Sequence, residues 1–390
     1  MNTDDKFRAG RYILQPQGYR AFIPASLPPI PPISMDDEMW TLLSQADRAI
    51  GGLDGSTTVL PNPDLFVYMY VRREAVLSSQ IEGTQASLID LVEFESKAAE
   101  SGMPGDVEEV VNYVAAMNHG LNRLKELPLS LSLIREIHEK LLKGVRGADK
   151  SPGEFRSSQN WVGALGSRLD TARYVPPPPY EMQGALDNLE KYIHDEVPVP
   201  LLVKVGLVHG QFETIHPFLD GNGRVGRLLI TFLLCERGVL QRPLLYLSHY
   251  FKQNTTEYYD RLQAVRDTGD WESWLKFFLR GVAIVAQEAT ATARKVEDLR
   301  EEDRKRITTQ MGRGATKGLV LLEQLYSRPI VDVVAVSKMV DRSVANANDL
   351  VRELCEIGIL KEMTGRKRDR RFAYSAYLDL FADGDVVARS

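Results

Sequence analysis

Residues 216–227 read His-Pro-Phe-Leu-Asp-Gly-Asn-Gly-Arg-Val-Gly-Arg, and the apolar segments on either side decide the kind of fold that carries them. Before the run, Leu201, Val205, Val208 and Phe212 recur at helical spacing. After it, Val225 to Glu236 is almost wholly apolar and rich in strong helix formers, so a buried helix fits its length better than a strand. The run is therefore a loop between two helices, with its glycines just before the second. Unpaired N–H groups and the positive end of the dipole attract anions at such a place. Gly221 and Gly223 flank Asn222 and allow the positive φ angles that form a concave nest of N–H donors. Arg224 and Arg227, at i and i+3 on the first turn, offer guanidinium forks to phosphate oxygens. His216 is a candidate base and Asp220 a candidate ligand for a hard cation. Each feature alone has an ordinary reading: the glycines as a turn, Asp220 as a helix cap, His216 as a cap or core residue. Their coincidence in one short run points to holding a triphosphate and deprotonating a group that attacks it.

The run resembles the signature of Fic-domain proteins, His-x-Phe-x-Asp/Glu-Gly-Asn-Gly-Arg-x-x-Arg, and matches every fixed position. Most members of that family transfer AMP from ATP to a Ser, Thr or Tyr hydroxyl of a protein and release pyrophosphate. The resemblance implies that His216 is the general base, that Asp220 holds Mg²⁺, and that Gly221, Asn222 and Gly223 cradle the α- and β-phosphates. Arg224 would bind phosphate, Arg227 would grip the γ-phosphate, and Val225 and Gly226 would complete the ATP-binding segment. Phe218 would pack the loop onto the core. The chemistry agrees: an attacking hydroxyl needs a proton acceptor near neutral pH. Charge developing on phosphate oxygens needs a metal, backbone donors and arginines, and Mg²⁺ bound to phosphates needs one or two carboxylates.

Residues 78–83, Ser-Ser-Gln-Ile-Glu-Gly, resemble the family's inhibitory motif, Ser/Thr-x-x-x-Glu-Gly/Asn. Ser78, Glu82 and Gly83 occupy its fixed positions. By resemblance Glu82 pairs with Arg227 and displaces the γ-phosphate, because one guanidinium cannot hold both anions. Gly153 to Arg156, Asn160 to Gly163, Tyr174-Val175 and Pro176 to Pro179 resemble the family's hairpin flap and its exit, which hold a target segment by strand addition around 160–176. Trp161, Val162, Tyr174 and Val175 are strand formers. Tyr250, Asn254, Tyr258 and Tyr259 resemble the nucleoside-binding part, with Asn254 contacting ribose or adenine; the aromatic residues fit a core equally well.

The chain has 390 residues, 44% hydrophobic and 26% charged, as in a globular protein of two or three domains. Its net charge of −5 argues against coating nucleic acid along its whole length. Two distant cysteines, Cys235 and Cys355, suggest no disulfide framework and fit a reducing cytoplasm. Asp4, Asp5, Lys6 and Arg8 precede any apolar run, so no signal peptide is expected. No apolar stretch approaches the roughly 18 residues of a membrane span. His209 and His216 lie seven apart on one helix face, about 10 Å along the axis, too far for one ion. No zinc spacing or Walker-type loop occurs.

The fold class expected is mostly α: a Fic-type helical core with a short β-hairpin flap, plus a C-terminal winged-helix domain. Residues 1–128 form an N-terminal helical region with a proline-rich stretch, Pro24 to Pro32, extended over the surface. Residues 129–280 form the Fic domain, 281–310 a helical connector and 311–390 the winged helix. Helices are expected at 37–48, 63–81, 84–99, 106–124, 130–143, 181–194, 201–215, 224–237, 254–266 and 270–308. In the last unit, helices at 318–327, 333–340 and 343–356 precede strands at 359–363 and 371–374, joined by a basic turn at 365–370. DNA contact by that unit is the weaker reading, since Asp349, Glu353 and Glu356 leave Arg352 the only cation on its third helix. Protein contact or support of a homodimer is preferred. Two function classes follow. The first is an autoinhibited adenylyltransferase that modifies a target or itself. The second is a winged-helix regulator whose Fic core senses nucleotide. Gly221 and Gly223 favour nucleotidyl transfer over the kinase and phosphocholine branches of the fold, and intact His216 favours the enzyme. UMP transfer and AMP removal stay open.

Overall fold

A computed structural model describes residues 7–58, 63–96, 105–163, 166–366 and 368–381. In chain order the elements are β1 (Gly10–Leu14), β2 (Arg20–Pro24), α1 (Asp37–Thr58), α2 (Pro63–Ile81), α3 (Leu88–Ser96), α4 (Gly105–Arg123), α5 (Leu131–Leu141), α6 (Pro179–His194), α7 (Leu201–Ile215), α8 (Asn222–Glu236), α9 (Ser248–Gln253), α10 (Thr255–Thr268), α11 (Trp271–Gln310), α12 (Ala315–Leu325), β3 (Ile330–Asp332), α13 (Val333–Val340), α14 (Val344–Glu356), β4 (Lys361–Glu362), β5 (Arg371–Ala373) and α15 (Ser375–Asp379). The protein is mostly helical with small antiparallel sheets, as expected. The expected helix 84–99 begins later, at Leu88, and its last residues lie outside the described ones.

The chain divides into two compact units. The first comprises residues 1–54, 77–84 and 108–287, and the second 55–76, 85–107 and 288–390. The divisions fall inside α1, α2, α4 and α11 and between α2 and α3.

In the first unit α7 is buried on all sides, every residue from Leu202 to Ile215 included. A helix apolar all round belongs at the centre of a core. α8 packs against it and is buried from Asn222 to Leu234 except at Gly223. β1 and β2 form an antiparallel hairpin that the sequence reading did not anticipate. Its turn is Gln15-Pro16-Gln17-Gly18, with Gly18 at φ 88° donating to Gln15 O at 2.9 Å. Phe22, fully buried in β2, donates its N–H to Val175 O at 2.9 Å. The proline-rich stretch runs in irregular structure after β2, with Ile30 81% exposed.

In the second unit α12, β3, α13, α14, β4 and β5 follow one another, and the sheet runs β3-β5-β4. Asp332 caps α13 by accepting from Ala335 N at 2.7 Å, and Ser343 caps α14 through Asn346 N at 3.3 Å. Ala347, Leu350, Val351 and Leu354 bury one stripe of α14. This order is compatible with the winged-helix expectation. It adds β3, a strand of three residues too short to leave a periodic signal.

Candidate active site

The helix α7 ends where His216 turns left-handed, φ 49° and ψ 60°, its own N–H still bonded to Phe212 O at 2.9 Å. Pro217 prevents the helix from continuing. From here to Gly221 the loop is braced internally. The Asn222 carboxamide closes a ring, Oδ1 accepting from Phe218 N and Nδ2 donating to Phe218 O, both at 2.8 Å. The Asn222 side chain is thus the loop's brace, and its backbone N–H is what remains to face an anion. Gly221, at φ 78°, opens α8 in a conformation that L side chains seldom adopt.

Residues to which the sequence reading gave no such task hold this loop from outside. The His138 ring stacks on Phe218 with centroids 3.7 Å apart and planes 8° apart. Its Nδ1 accepts from Gly153 N at 2.9 Å, so Nε2 carries the proton and donates to Asp220 O at 3.0 Å. Burial lowers its pKa to about 4, which keeps this tautomer neutral. Arg156 Nε donates to His216 O at 2.9 Å, and Asn160 Nδ2 donates to Phe218 O at 2.8 Å. His209, on the buried face of α7, bonds Gly226 O and Tyr258 OH, both at 2.9 Å, and ties α8 and α10 to α7.

The predicted motif residues face one another across the start of α8. Asp220 Oδ1 accepts from Gly221 N at 2.6 Å and lies 3.8 Å from Arg224 Nη2, and its side chain is 37% exposed. Arg224 is completely buried and pairs through Nη1 with Glu109 of α4 at 3.1 Å. Arg227, 3% exposed, donates Nε to Ser78 Oγ at 2.8 Å and Nη2 to Ser78 O at 2.9 Å. Nη2 also meets Glu82 Oε1 at 2.8 Å. Glu82 stands just past the end of α2, followed by Gly83 at φ 96°. Its carboxylate lies against Gly223: a Cβ there would collide with Glu82 Oε1. Gly223 is the one residue of 221–234 that is not buried, and an internal carboxylate covers it.

The electrostatics follow from burial and pairing. Burial alone would raise the Glu82 pKa, but Arg227 beside it outweighs burial and lowers it. Burial likewise opposes charge on Arg227, and the Glu82 carboxylate keeps that charge in place. Burial, then the positive Arg266 and Arg156, lower His216 to about 3, so its imidazole is neutral here and a weaker proton acceptor than a free histidine; an anion bound beside it would restore basicity. Glu213 of α7, 7% exposed, is raised to about 7 by burial. Three buried polar atoms here lack hydrogen-bond partners of acceptable geometry: His216 Nδ1, Glu213 Oε1 and Arg224 Nε.

Of the other predicted residues, Tyr258 and Tyr259 lie close enough to feel the charges of Arg227 and Glu82. Asn254 joins α9 to α10 and gives its amide to Tyr250 O at 2.9 Å. Tyr250 and Tyr258 are buried at 7% and 1% exposure. In the flap the ladder reduces to one antiparallel pair: Val162 N donates to Tyr174 O at 2.8 Å and Tyr174 N to Val162 O at 3.0 Å. Residues 164–165 lie outside the described ones, and Trp161 is 42% exposed. Among the described residues, no group of three or more His, Cys, Asp or Glu side chains is placed to hold a metal by itself. No described helix is long and apolar enough to cross a membrane.

Comparison with known proteins bears on this geometry. Residues 40–122 match the model described as Fic/DOC family N-terminal, and residues 128–234 match the model described as Fic/DOC family. A probable protein adenylyltransferase of Aquifex aeolicus is 30% identical over 175 residues, 45% of this chain and 51% of that protein. The protein adenylyltransferase Fic of Aedes aegypti is 29% identical over 252 residues, 62% of this chain and 46% of that protein. The chain thus spans about half the length of these curated relatives. A solved Fic family protein of Desulfovibrio desulfuricans superposes with a TM-score of 0.57 at 18% identity, covering 88% of this chain and 97% of that one, and shares the fold. With its signature loop inside the second matched stretch, the chain carries a Fic N-terminal domain followed by a Fic domain.

Proposed function

We propose that the protein is an adenylyltransferase that moves AMP from ATP to a hydroxyl of a protein target, or of itself, and is held inactive by Glu82. The observation that carries this reading is the carboxylate of Glu82 seated on Gly223 and bonded to Arg227. An anion site at a helix start, occupied by an internal anion, is what a latch on a triphosphate site requires. The names of the relatives support the reaction class.

The division of labour follows from the residues. The backbone N–H groups of Gly221, Asn222 and Gly223 and the start of α8 receive the phosphates, with Val225 and Gly226 forming the turn that presents the arginines. Arg224 and Arg227 neutralise phosphate charge, the latter once Glu82 has left. Neutral His216 takes the proton of the attacking hydroxyl as its oxygen bonds to the α-phosphorus. The bond from that phosphorus to the β-bridging oxygen breaks, and pyrophosphate leaves. Asp220, a partly exposed carboxylate beside the nest, would hold a magnesium ion together with the nucleotide. When bound, the ion would neutralise charge on the polyphosphate. The buried arginines and backbone donors stabilise the rest. Asn254 is assigned to the nucleoside. The segment 160–176 is assigned to docking of the target, beside the exposed Trp161. We assign catalysis to residues 129–280, regulation to 1–128 through Ser78, Glu82 and Gly83, connection to 281–310, and protein contact to a winged helix at 311–390.

The test is incubation of the wild-type protein and of His216→Ala with ATP and magnesium ions, alone and with cell lysate, followed by intact mass. An AMP adduct that disappears in His216→Ala, while ATP binding persists, supports the assignment. Equal labelling by both proteins removes His216 as the base.

A further inference from the structure

A third arginine stands at this site, in the loop after α5. Arg146 precedes Gly147, whose backbone lies over the Asp220 carboxylate: a Cβ on Gly147 would come within 2.6 Å of Asp220 Oδ2. The Arg146 guanidinium lies across Glu109, Nε 3.3 Å from Oε1 and Nη2 3.3 Å from Oε2. Nη2 also donates to the backbone carbonyl of Glu82 at 3.3 Å. Glu109 is 3% exposed and also holds Arg224, whose Nη1 meets the same Oε2 at 3.1 Å. The side chains therefore form a chain of alternating charge, Arg146, Glu109, Arg224 and Asp220, and the Glu82–Arg227 pair stands beside it. Three arginines face three carboxylates.

The three arginines differ in access. Arg224 and Arg227 are buried, whereas the Arg146 side chain is 55% exposed. Its bonds are at the long end of the hydrogen-bond range, and a rim pair of that kind is weak and easily exchanged. A polyanion approaching Gly223 from solvent has this cation within reach. Arg146 also stands at the Glu82 end of the site, bonded to the Glu82 carbonyl while the Glu82 carboxylate lies against Gly223. Arg224 keeps Glu109 as its counter-ion when Arg146 turns away, so Arg146 can change partners without leaving a buried charge unpaired.

We propose that Arg146 is a phosphate-binding residue that grips the terminal phosphate of the nucleotide once Glu82 withdraws, with Glu109 its resting partner. The proposal rests on the nucleotide reading above. It predicts that Arg146 contributes to binding of polyphosphates and not of AMP.

The experiment uses the full chain with Glu82→Gly as parent, and calorimetric titration with inorganic tripolyphosphate and, separately, with AMP. Adding Arg146→Ala is expected to weaken tripolyphosphate binding roughly tenfold, the effect of one partly screened charge, and to leave AMP binding unchanged. Arg146→Lys is expected to recover part of the loss. Unchanged tripolyphosphate affinity, or an equal loss for AMP, overturns the proposal. A parent that binds no tripolyphosphate overturns it together with the nucleotide reading. A parent whose tripolyphosphate binding depends on Arg146 but which transfers no AMP upholds the Arg146 assignment and overturns the transfer reaction.

Discussion

Replacing Glu82 by glycine perturbs the latch with little else disturbed. Glu82 Oε1 lies 2.8 Å from Arg227 Nη2, with the glutamate side chain 30% and the arginine 2% exposed. At an effective dielectric of about 20, unit charges this close attract by roughly 4 kcal/mol or more. Desolvation and the ordering of Glu82 offset part of that, leaving about 2–3 kcal/mol in favour of the latched state. Such a difference is about 30- to 150-fold in the occupancy of the nest. Glu82→Gly is therefore expected to raise the rate of AMP incorporation at sub-saturating ATP by about that factor. Glu82→Gln, which keeps a hydrogen bond and loses the charge, should give a smaller rise. The same pair predicts a cost. Without ligand, Arg227 retains Ser78 Oγ and Ser78 O but has lost its counter-charge, so the variant is expected to be less stable by about 2–3 kcal/mol. Saturating ATP should recover that loss. Initial rates with α-labelled ATP, and thermal unfolding with and without ATP, measure both effects. Equal rates for wild type and variant, or a ligand-free variant that melts with wild type, refute the reasoning.

Other outcomes follow from the same geometry. Glu213 is raised to about 7 by burial, so its contribution to stability is fully present below the ordinary carboxyl range and is lost as pH rises through about 7. Over that window the loss is on the order of 3 kcal/mol. Glu213→Gln is thus expected to raise the melting temperature at mildly alkaline pH and leave it unchanged in acid, as thermal scans across pH would show. His138→Ala removes the stack on Phe218 and the bond to Asp220 O; it is expected to cost roughly 2–4 kcal/mol in denaturant unfolding and to slow transfer at least about tenfold. His138→Phe should recover much of the stability and little of the rate.

The helical core was legible because its pattern is unambiguous. The apolar runs of α7 and α8 and the Pro and Gly residues between them could be read locally, and the loop emerged where those residues put it. Short or interrupted elements were not legible. β1 and β2 are five residues each, and their only local signal is Pro16 followed by Gly18. α1 runs to Thr58, through Gly51, Gly52 and Gly55, because Ile50 and Leu53 are buried and tertiary packing overrides the glycines' propensity. Within the site, the composition of the loop announced an anion site, and the pairing of Glu82 with Arg227 came from resemblance. Among the residues that hold the loop, Arg156 and Asn160 were legible only as parts of the flap, and His138 and Glu109 not at all. His138 acts by stacking on Phe218, Arg156 and Asn160 by donating to main-chain carbonyls, and Glu109 by facing Arg224 from α4. Each of those contacts joins segments far apart in the chain, and no local pattern encodes them.

The central claim is that this site transfers the α-phosphoryl group with its nucleoside. The most direct test incubates Glu82→Gly and magnesium ions with ATP labelled at the α-phosphorus in one reaction and at the γ-phosphorus in another, with lysate as acceptor, and follows the label in precipitated protein. The account predicts retention of the α-label and release of the γ-label as pyrophosphate. Retention of the γ-label, or of neither while ATP remains bound, would contradict it.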